Sequence, residues 1–393
     1  MYPSGEVLID VTRLVGRLLA GRIPTGVDRV SLEYIRHFYN NAQAIVRYKS
    51  RWIELSSVDS HSVFNALLGN TKPSKWLIRL LITRAWWLNF IPRHRKPRFF
   101  FEIGHHGLEQ PDYLKQLTKL ALRPLFFVHD LIPIIHPEYC IAGEDKKHCA
   151  KMNTVLKLGQ GVVVNSKATL ADLTAYAHQT QQNMPPIIVA RLAAAIIPKP
   201  NELPLVVGQY FVILGTIEPR KNHLMLLQVW LRLIEKLGSS APKLIIIGQR
   251  GWECENVVDL LDRSKVLHEF VIERPACSDA DLATYLYHAN ALLFPSFIEG
   301  YGLPLVEALA LGTPVIASNL DVFHEISGEI PEYLDPLDGL AWLEKIEAYM
   351  LPNNIERLAQ LDRIKTFKPP TWAEHFATVD QHLHHISMST PRQ

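Results

Sequence analysis

Apolar residues in this chain gather in short, almost unbroken runs, and between the runs they recur at helical spacing. In the first half the runs are Val7–Val11, Phe99–Ile103, Leu125–Val128, Gly161–Val164 and Ile187–Val189. In the second half they are Phe211–Leu214, Lys243–Ile247, Glu269–Ile272, Ala291–Phe294 and Pro314–Ala317. Continuous apolar strands alternating with helices predict parallel sheets covered by helices on both faces. The two series are separated by Ile197–Gln209, which holds Pro198, Pro200 and Pro204 without a helical period and reads as a linker. A chain of 393 residues also exceeds one ordinary hydrophobic core. The fold class is therefore α/β, with two doubly wound, Rossmann-like domains at 1–200 and 205–366.

Charge divides at the same place. Residues 1–200 hold 26 Lys/Arg and 14 Asp/Glu, a balance of +12, and residues 201–393 hold 15 and 25, a balance of −10. Opposite signs point to two domains with different partners. Cys140, Cys149, Cys254 and Cys277 have no metal-ligand spacing and read as reduced thiols. No apolar run reaches the length that spans a bilayer, and MYPSGEVLIDV leads into a strand without signal-peptide architecture. A cytoplasmic location is expected.

The chemistry concentrates in Phe294–Ser318, FPSFIEGYGLPLVEALALGTPVIAS, which reads as strand end, glycine loop, helix, turn and strand. Pro304 suits the opening of a helix, where a missing N–H costs nothing. Gly300 and Gly302 allow a ligand close to the backbone, and the helix start behind them favours an anion. Glu299 and Glu307 bracket this loop and helix start with seven residues between them. Upstream, the strand Tyr210–Leu214 runs through Gly215 into Glu218-Pro219-Arg220-Lys221-Asn222 and a helix marked by Leu224, Leu227, Trp230 and Leu231. Cations at a helix start oppose the macrodipole, and a bound diphosphate would account for Arg220 and Lys221 there.

Together these segments resemble the retaining GT-B glycosyltransferases of family four. The resemblance implies two Rossmann-like domains facing across a cleft, with an acceptor-binding domain at 1–200, a donor-binding domain at 205–366, and a segment at 367–393 whose helix crosses back to the first domain. It implies that Glu299 touches donor-sugar hydroxyls, that Glu307 holds the ribose, and that Arg220 and Lys221 grip the diphosphate. Gly215, Gly300, Tyr301, Gly302 and Leu303 would line that seat. It further implies a nucleotide-diphospho-sugar donor, a glycan or lipid-linked glycan acceptor, and no separate cofactor or metal. Pro24-Thr25-Gly26-Val27-Asp28-Arg29 resembles the family's first glycine loop, with Gly26 allowing close approach and Asp28 or Arg29 meeting acceptor or phosphate. His129, after the strand Pro124–Val128, falls where the family has a histidine near the reacting carbon, and His105 and His106 would line the same region. PTGVDRV and HDLIPIIHPEY resemble bacterial surface-polysaccharide mannosyltransferases, which favours GDP-mannose. Glu273-Arg274-Pro275 departs from the family's glycine-containing turn, so the base contacts are not implied. A catalytically inactive membrane-docked subunit and a GT-B nucleotide-sugar epimerase stand as alternatives.

Other motifs read more simply. Asp279-Ala280-Asp281 follows Ser278 and reads as first-turn acids of a helix rather than a metal site. Ser166 reads as a helix N-cap, and His382, His384 and His385 as a solvated helix end. Residues 71–98 carry Lys72, Lys75, Arg79, Arg84, Arg93, Arg95, Lys96 and Arg98 without an acid, interleaved with Trp76, Trp86 and Trp87. That composition fits either an interfacial helix on anionic lipid, making the chain peripheral on the inner face of the plasma membrane, or a packed helix with a cationic rim. No nucleic-acid recognition motif accompanies it.

Overall fold

A computed structural model describes residues 7–48, 51–71, 74–88, 97–194 and 198–388. The first sheet contains β1 (Val7–Asp10), β2 (Ala42–Tyr48), β3 (Arg51–Glu54), β4 (Arg98–Glu102), β5 (Leu122–Val128), β6 (Gly161–Val164) and β7 (Ile187–Val189), in the order β3-β2-β1-β4-β5-β6-β7. The second contains β8 (Tyr210–Leu214), β9 (Lys243–Ile247), β10 (Val271–Arg274), β11 (Leu292–Phe294), β12 (Val315–Ser318) and β13 (Glu332–Leu334), in the order β10-β9-β8-β11-β12-β13. All pairings are parallel except the β2–β3 edge hairpin. Both units are therefore α/β and doubly wound, as the apolar runs predict.

The sequence pattern misses β2, β3 and β13. β2 carries Gln43 and Arg47, and the buried Arg47 guanidinium is held by Asp10 Oδ2, 2.5 Å from its Nε, by Glu102 and by the His106 carbonyl. β3 and β13 are short edge strands containing Arg51, Glu54 and Glu332, residues that blunt an edge against further pairing. By contrast β1, β6 and β12 are buried at every position, which is the signature the sequence displays. In the second sheet's unit, Trp230, Trp342 and Tyr349 fill the core with Phe211 and Ile246. The indole N–H of Trp230 donates to the Pro242 carbonyl at 2.9 Å, so its one polar group is satisfied.

The chain divides into two compact units, one of Met1–Leu131, Lys146–Leu192 and Trp372–Gln393, the other of Ile132–Asp145 and Ala193–Thr371. The excursion Ile132–Asp145 is not anticipated by a linear first domain. It is held on the second unit by Tyr139, whose ring stacks on Phe297 at 5.3 Å and 4°, and whose carbonyl accepts from the Trp252 indole at 3.4 Å. The linker is likewise pinned to the second unit: Asn201 N–H donates to Thr284 Oγ1 at 3.0 Å, and its carbonyl accepts from His288 Nε2 at 2.9 Å.

The helix Trp372–Met388 groups with the first unit. Its His375 donates from Nδ1 to the Arg191 carbonyl at 3.0 Å and accepts the Tyr34 hydroxyl at Nε2 at 3.1 Å. His382 corrects the reading of a solvated histidine tail. It is buried against Gly161, whose position leaves no room for a side chain beside the His382 ring, while His384 and His385 are exposed.

Candidate functional site

Strand order reverses between β8 and β11 in the second sheet, and open α/β sheets bind ligands beyond the carboxyl ends of strands at such a point. The segments singled out in the sequence leave these two strands: Gly215–Asn222 follows β8, and Pro295–Gly302 follows β11. Chain topology thus brings together motifs that lie about 80 residues apart in sequence.

Arg220 and Lys221 sit in a 3₁₀ turn, Pro219–Lys221, closed by Asn222 in the left-handed region at φ 57°. Neither cation occupies the first turn of the helix His223–Leu237 proper, which removes the dipole conflict. Glu299 holds both. Its Oε2 accepts from Arg220 Nη1 at 2.7 Å, and its Oε1 accepts from Lys221 Nζ at 2.5 Å and from Ser296 Oγ at 2.7 Å. Arg220 Nε also meets Glu218 Oε1 at 2.6 Å. The Phe297 N–H donates to the Arg220 carbonyl at 2.8 Å, tying the two loops through the backbone as well. Gly215, at φ 145°, lies beneath the Lys221 side chain; a Cβ there would stand 3.3 Å from Cε. Lys221 Nζ also lies 5.1 Å from the Phe294 ring centroid.

Burial alone would raise the Glu299 carboxyl, but Arg220 and then Lys221 outweigh it and hold the group down at about 2. Burial lowers the Lys221 ammonium from its ordinary value, and Glu299 offsets part of that. Next in the chain, burial reinforced by Lys221 pushes the His223 imidazole down to about 3. The cluster is a semi-enclosed set of two cations held by two carboxylates, Glu299 on the neighbouring loop and Glu218 on their own. An anionic group entering here would meet charge already oriented.

Gly302, at φ 125°, precedes the helix Leu303–Ala310, and a Cβ there would come within 2.9 Å of the Phe323 ring. Pro304 is the second residue of that helix. Tyr301 is buried and Gly300 and Leu303 are partly buried, while Glu307 is buried in the helix itself. Glu218, Ser296 and Phe297 complete the arrangement, and the sequence gives little sign of them. Glu218 lies one residue before Pro219 in the cationic motif, and Ser296 lies three before Glu299, the only signals each carries.

The first unit places its expected residues differently. Gly26 is the first residue of the helix Gly26–His37, so the motif is a helix start rather than a loop before one. Asp28 forms the capping box with Thr25 and is fully buried, accepting from Arg13 Nε at 2.7 Å and pairing with Arg17 Nε at 2.9 Å. Of the two residues expected to meet acceptor or phosphate, Asp28 or Arg29, Asp28 thus has its carboxylate engaged by structural partners. His129, at the end of β5, donates from Nε2 to the Ile103 carbonyl at 2.8 Å, and burial pushes its imidazole down to about 4. Its ring lies 5.4 Å from that of His105, which donates to the Phe127 carbonyl at 2.6 Å. His106 is exposed. Beyond β1 and β4, where this sheet reverses, stands a cluster that the sequence does not announce: Asp10, Arg47 and Glu102, with the Glu102 carboxyl raised to about 7 by burial despite Arg47.

Ser166 caps the helix Lys167–Gln179 through Thr169 N–H at 3.0 Å. Asp281 pairs with its own cap Ser278 in the helix Asp279–Tyr287. Among the described residues no group of three or more His, Cys, Asp or Glu is arranged to hold a metal.

Residues 208–350 match the family described as Glycosyl transferases group 1. The chain is 34% identical over 164 residues to O-antigen chain mannosyltransferase B of Escherichia coli, covering 42% of this chain and 41% of that protein. It is 34% identical over 155 residues to O-antigen chain mannosyltransferase RfbU of Salmonella typhimurium, covering 38% and 40%. It therefore spans about two fifths of the length of these curated relatives. Among solved structures it is similar to HepE of Anabaena in complex with UDP-glucose, with a TM-score of 0.66 and 13% identity, covering 98% of this chain and 99% of that one. Sucrose-phosphate synthase of Thermosynechococcus elongatus gives a TM-score of 0.63 at 15% identity, covering 99% and 100%. The fold is GT-B, and residues 208–350 are similar to the Glycosyl transferases group 1 family, with O-antigen chain mannosyltransferases among the relatives.

Proposed function

We propose that this chain is a retaining glycosyltransferase that moves a hexose from a nucleotide-diphospho-sugar to a glycan or lipid-linked glycan acceptor in bacterial surface-polysaccharide synthesis, with GDP-mannose as donor. The observation that carries this reading is the Arg220–Glu299–Lys221 cluster at the β8/β11 reversal, set beside the helix start at Gly302. The mannosyltransferase relatives support the sugar, and the UDP-glucose complex of the HepE neighbour supports a nucleotide-sugar donor.

In this reading Arg220 and Lys221 bind the diphosphate, and the partial positive charge at the helix start adds to them. Negative charge grows on the phosphate oxygen as the bond from it to the anomeric carbon breaks. Fixed cations stabilise that charge without reorganising when it forms. Glu299, already anchored by both cations, presents its carboxylate to sugar hydroxyls, and Glu307 takes the ribose. The acceptor hydroxyl attacks from the face the diphosphate leaves, and the departing oxygen takes its proton, so the configuration is retained without a protein nucleophile.

Incubation with GDP-mannose and a mannose-terminated oligosaccharide, followed by proton NMR of the new anomeric signal, tests this. The expected product is the α-mannoside, formed equally well with EDTA present. A β-linked product would remove the retaining assignment. Loss of activity with EDTA, restored by a divalent cation, would bring Asp279 and Asp281 back as metal ligands.

A further inference from the structure

We propose that the outward face of the helix Lys75–Leu88 is a docking surface for an anionic lipid bilayer. The helix packs inward through a narrow stripe, Ile78, Leu81 and Ala85, all buried. Its outward side mixes large apolar residues with Lys75, Arg79, Thr83 and Arg84. Trp76 is 71% exposed, Leu77 43%, Leu80 45% and Trp87 64%. Trp76, Leu80 and Trp87 share one face at helical spacings of four and seven, with the exposed Thr83 between the last two. Four large apolar side chains exposed on one short helix are more than the single scattered ones a surface ordinarily carries, and mark an interaction site.

Charge selects the partner. Between Lys75 and Leu88 there is no Asp or Glu. Lys75 and Arg79 are exposed beside those apolar side chains. Lys75 Nζ also reaches Gly21, within 3.8 Å of where a Cβ would stand, which sets the exposed Arg22 and Ile23 beside the start of the helix. Arg84 adds little to this charge, because both oxygens of Asp59 hold it at 2.5 and 2.6 Å. A second copy docking on the same face through a two-fold axis would set Lys75, Arg79 and Arg22 against themselves. A layer of phospholipid phosphates complements them, and tryptophan is the side chain best suited to the headgroup boundary. At about 1.5 Å per residue the 14-residue helix is roughly 21 Å long. That is short of the ~30 Å hydrocarbon core, so it would lie on the bilayer rather than cross it. Of the remaining cations of the expected basic segment, Arg98 lies in β4 with both terminal nitrogens donating to Glu54 at 2.8 Å and does not join this surface, and Lys72, Arg93, Arg95 and Lys96 lie outside the described residues.

Flotation of the full chain on phosphatidylcholine vesicles with and without phosphatidylglycerol tests the proposal. The protein should float with the anionic vesicles, and release as salt shortens the screening length. Lys75→Gln with Arg79→Gln should lower partitioning about fivefold for each charge removed. Trp76→Ser with Leu80→Ser should lower it more than tenfold. All four positions are exposed, and unchanged far-UV circular dichroism confirms that the variants fold. Equal binding to neutral vesicles, or unchanged flotation of either double variant, would overturn the proposal. So would a lipid-free dimer, seen by light scattering, that Trp76→Ser with Leu80→Ser dissociates while vesicle binding is absent. None of these outcomes depends on the nucleotide reading of the other unit.

Discussion

Replacing Lys221 by alanine should lower turnover by about 10²-fold or more, the scale on which one preorganised charge stabiliser acts. The ammonium is buried, held 2.5 Å from Glu299 Oε1, and laid over Gly215, so no solvent-exposed cation can take its place. Arg220→Ala should cause a loss of the same order, because its guanidinium is fixed from two sides by Glu218 and Glu299. Lys221→Arg should not restore activity, since a planar guanidinium has little room above Gly215. A donor-consumption assay at saturating GDP-mannose measures this. Full turnover in both alanine variants would remove the two cations from the chemistry.

Glu299 should matter as much to stability as to catalysis. Removing one partner of a buried ion pair typically costs about 3–5 kcal/mol, because the other charge remains buried. Glu299→Ala should therefore melt well below the wild-type protein at neutral pH. The same carboxylate governs part of the acid response. Its folded value of about 2 lies below the ordinary 4.5, so the stability it adds is complete above 4.5 and is lost as pH falls toward 2. The difference of 4.5 − 2 = 2.5 corresponds to about 3 kcal/mol in order of magnitude.

Histidines act earlier in the descent. His129 and His375 are held near 4 and His223 near 3, against an ordinary 6.5, chiefly by burial. Each favours the fold above 6.5 and withdraws that contribution as pH falls from there toward its folded value. Thermal melts should decline from about pH 6 downward in wild type, and Glu299→Gln should start lower but lose its extra slope below 4.5. A wild-type melting curve that is flat between pH 7 and 4, or a Glu299→Gln variant as stable as wild type, would contradict this.

Much of the architecture is legible in the sequence because it rests on continuous apolar strands. GVVV at β6 and KLIII at β9 can hardly be read otherwise. β2 is concealed because its arginine is buried through an ion pair whose partner, Asp10, lies on another strand, and no local pattern reports that. The loops after β8 and β11 are legible for a different reason. Gly215 and Gly302 occupy backbone conformations that other residues rarely adopt, and the cations beside them have no helical purpose. Asp28 misleads by the same logic in reverse: an acid two residues after a glycine looks functional, yet a capping box and two arginines account for it. Tyr139 is hidden altogether. It belongs to a stretch about 160 residues from Phe297, and its role in seating the Glu299 loop depends on a contact that only the fold creates.

Calorimetric titration with GDP, of the wild-type protein beside Glu307→Ala, decides whether the Glu299–Glu307 segment seats a nucleoside diphosphate. Glu307 lies buried in the helix Leu303–Ala310, where alanine is fully compatible with the backbone. A charged acceptor lost from the ribose hydroxyls should cost roughly 1.5–3 kcal/mol, which is about a 10- to 150-fold rise in Kd. Wild-type binding that weakens by that factor in a folded Glu307→Ala variant is the expected outcome. Wild-type protein that binds no GDP, or a variant that binds it with unchanged affinity, would refute the assignment.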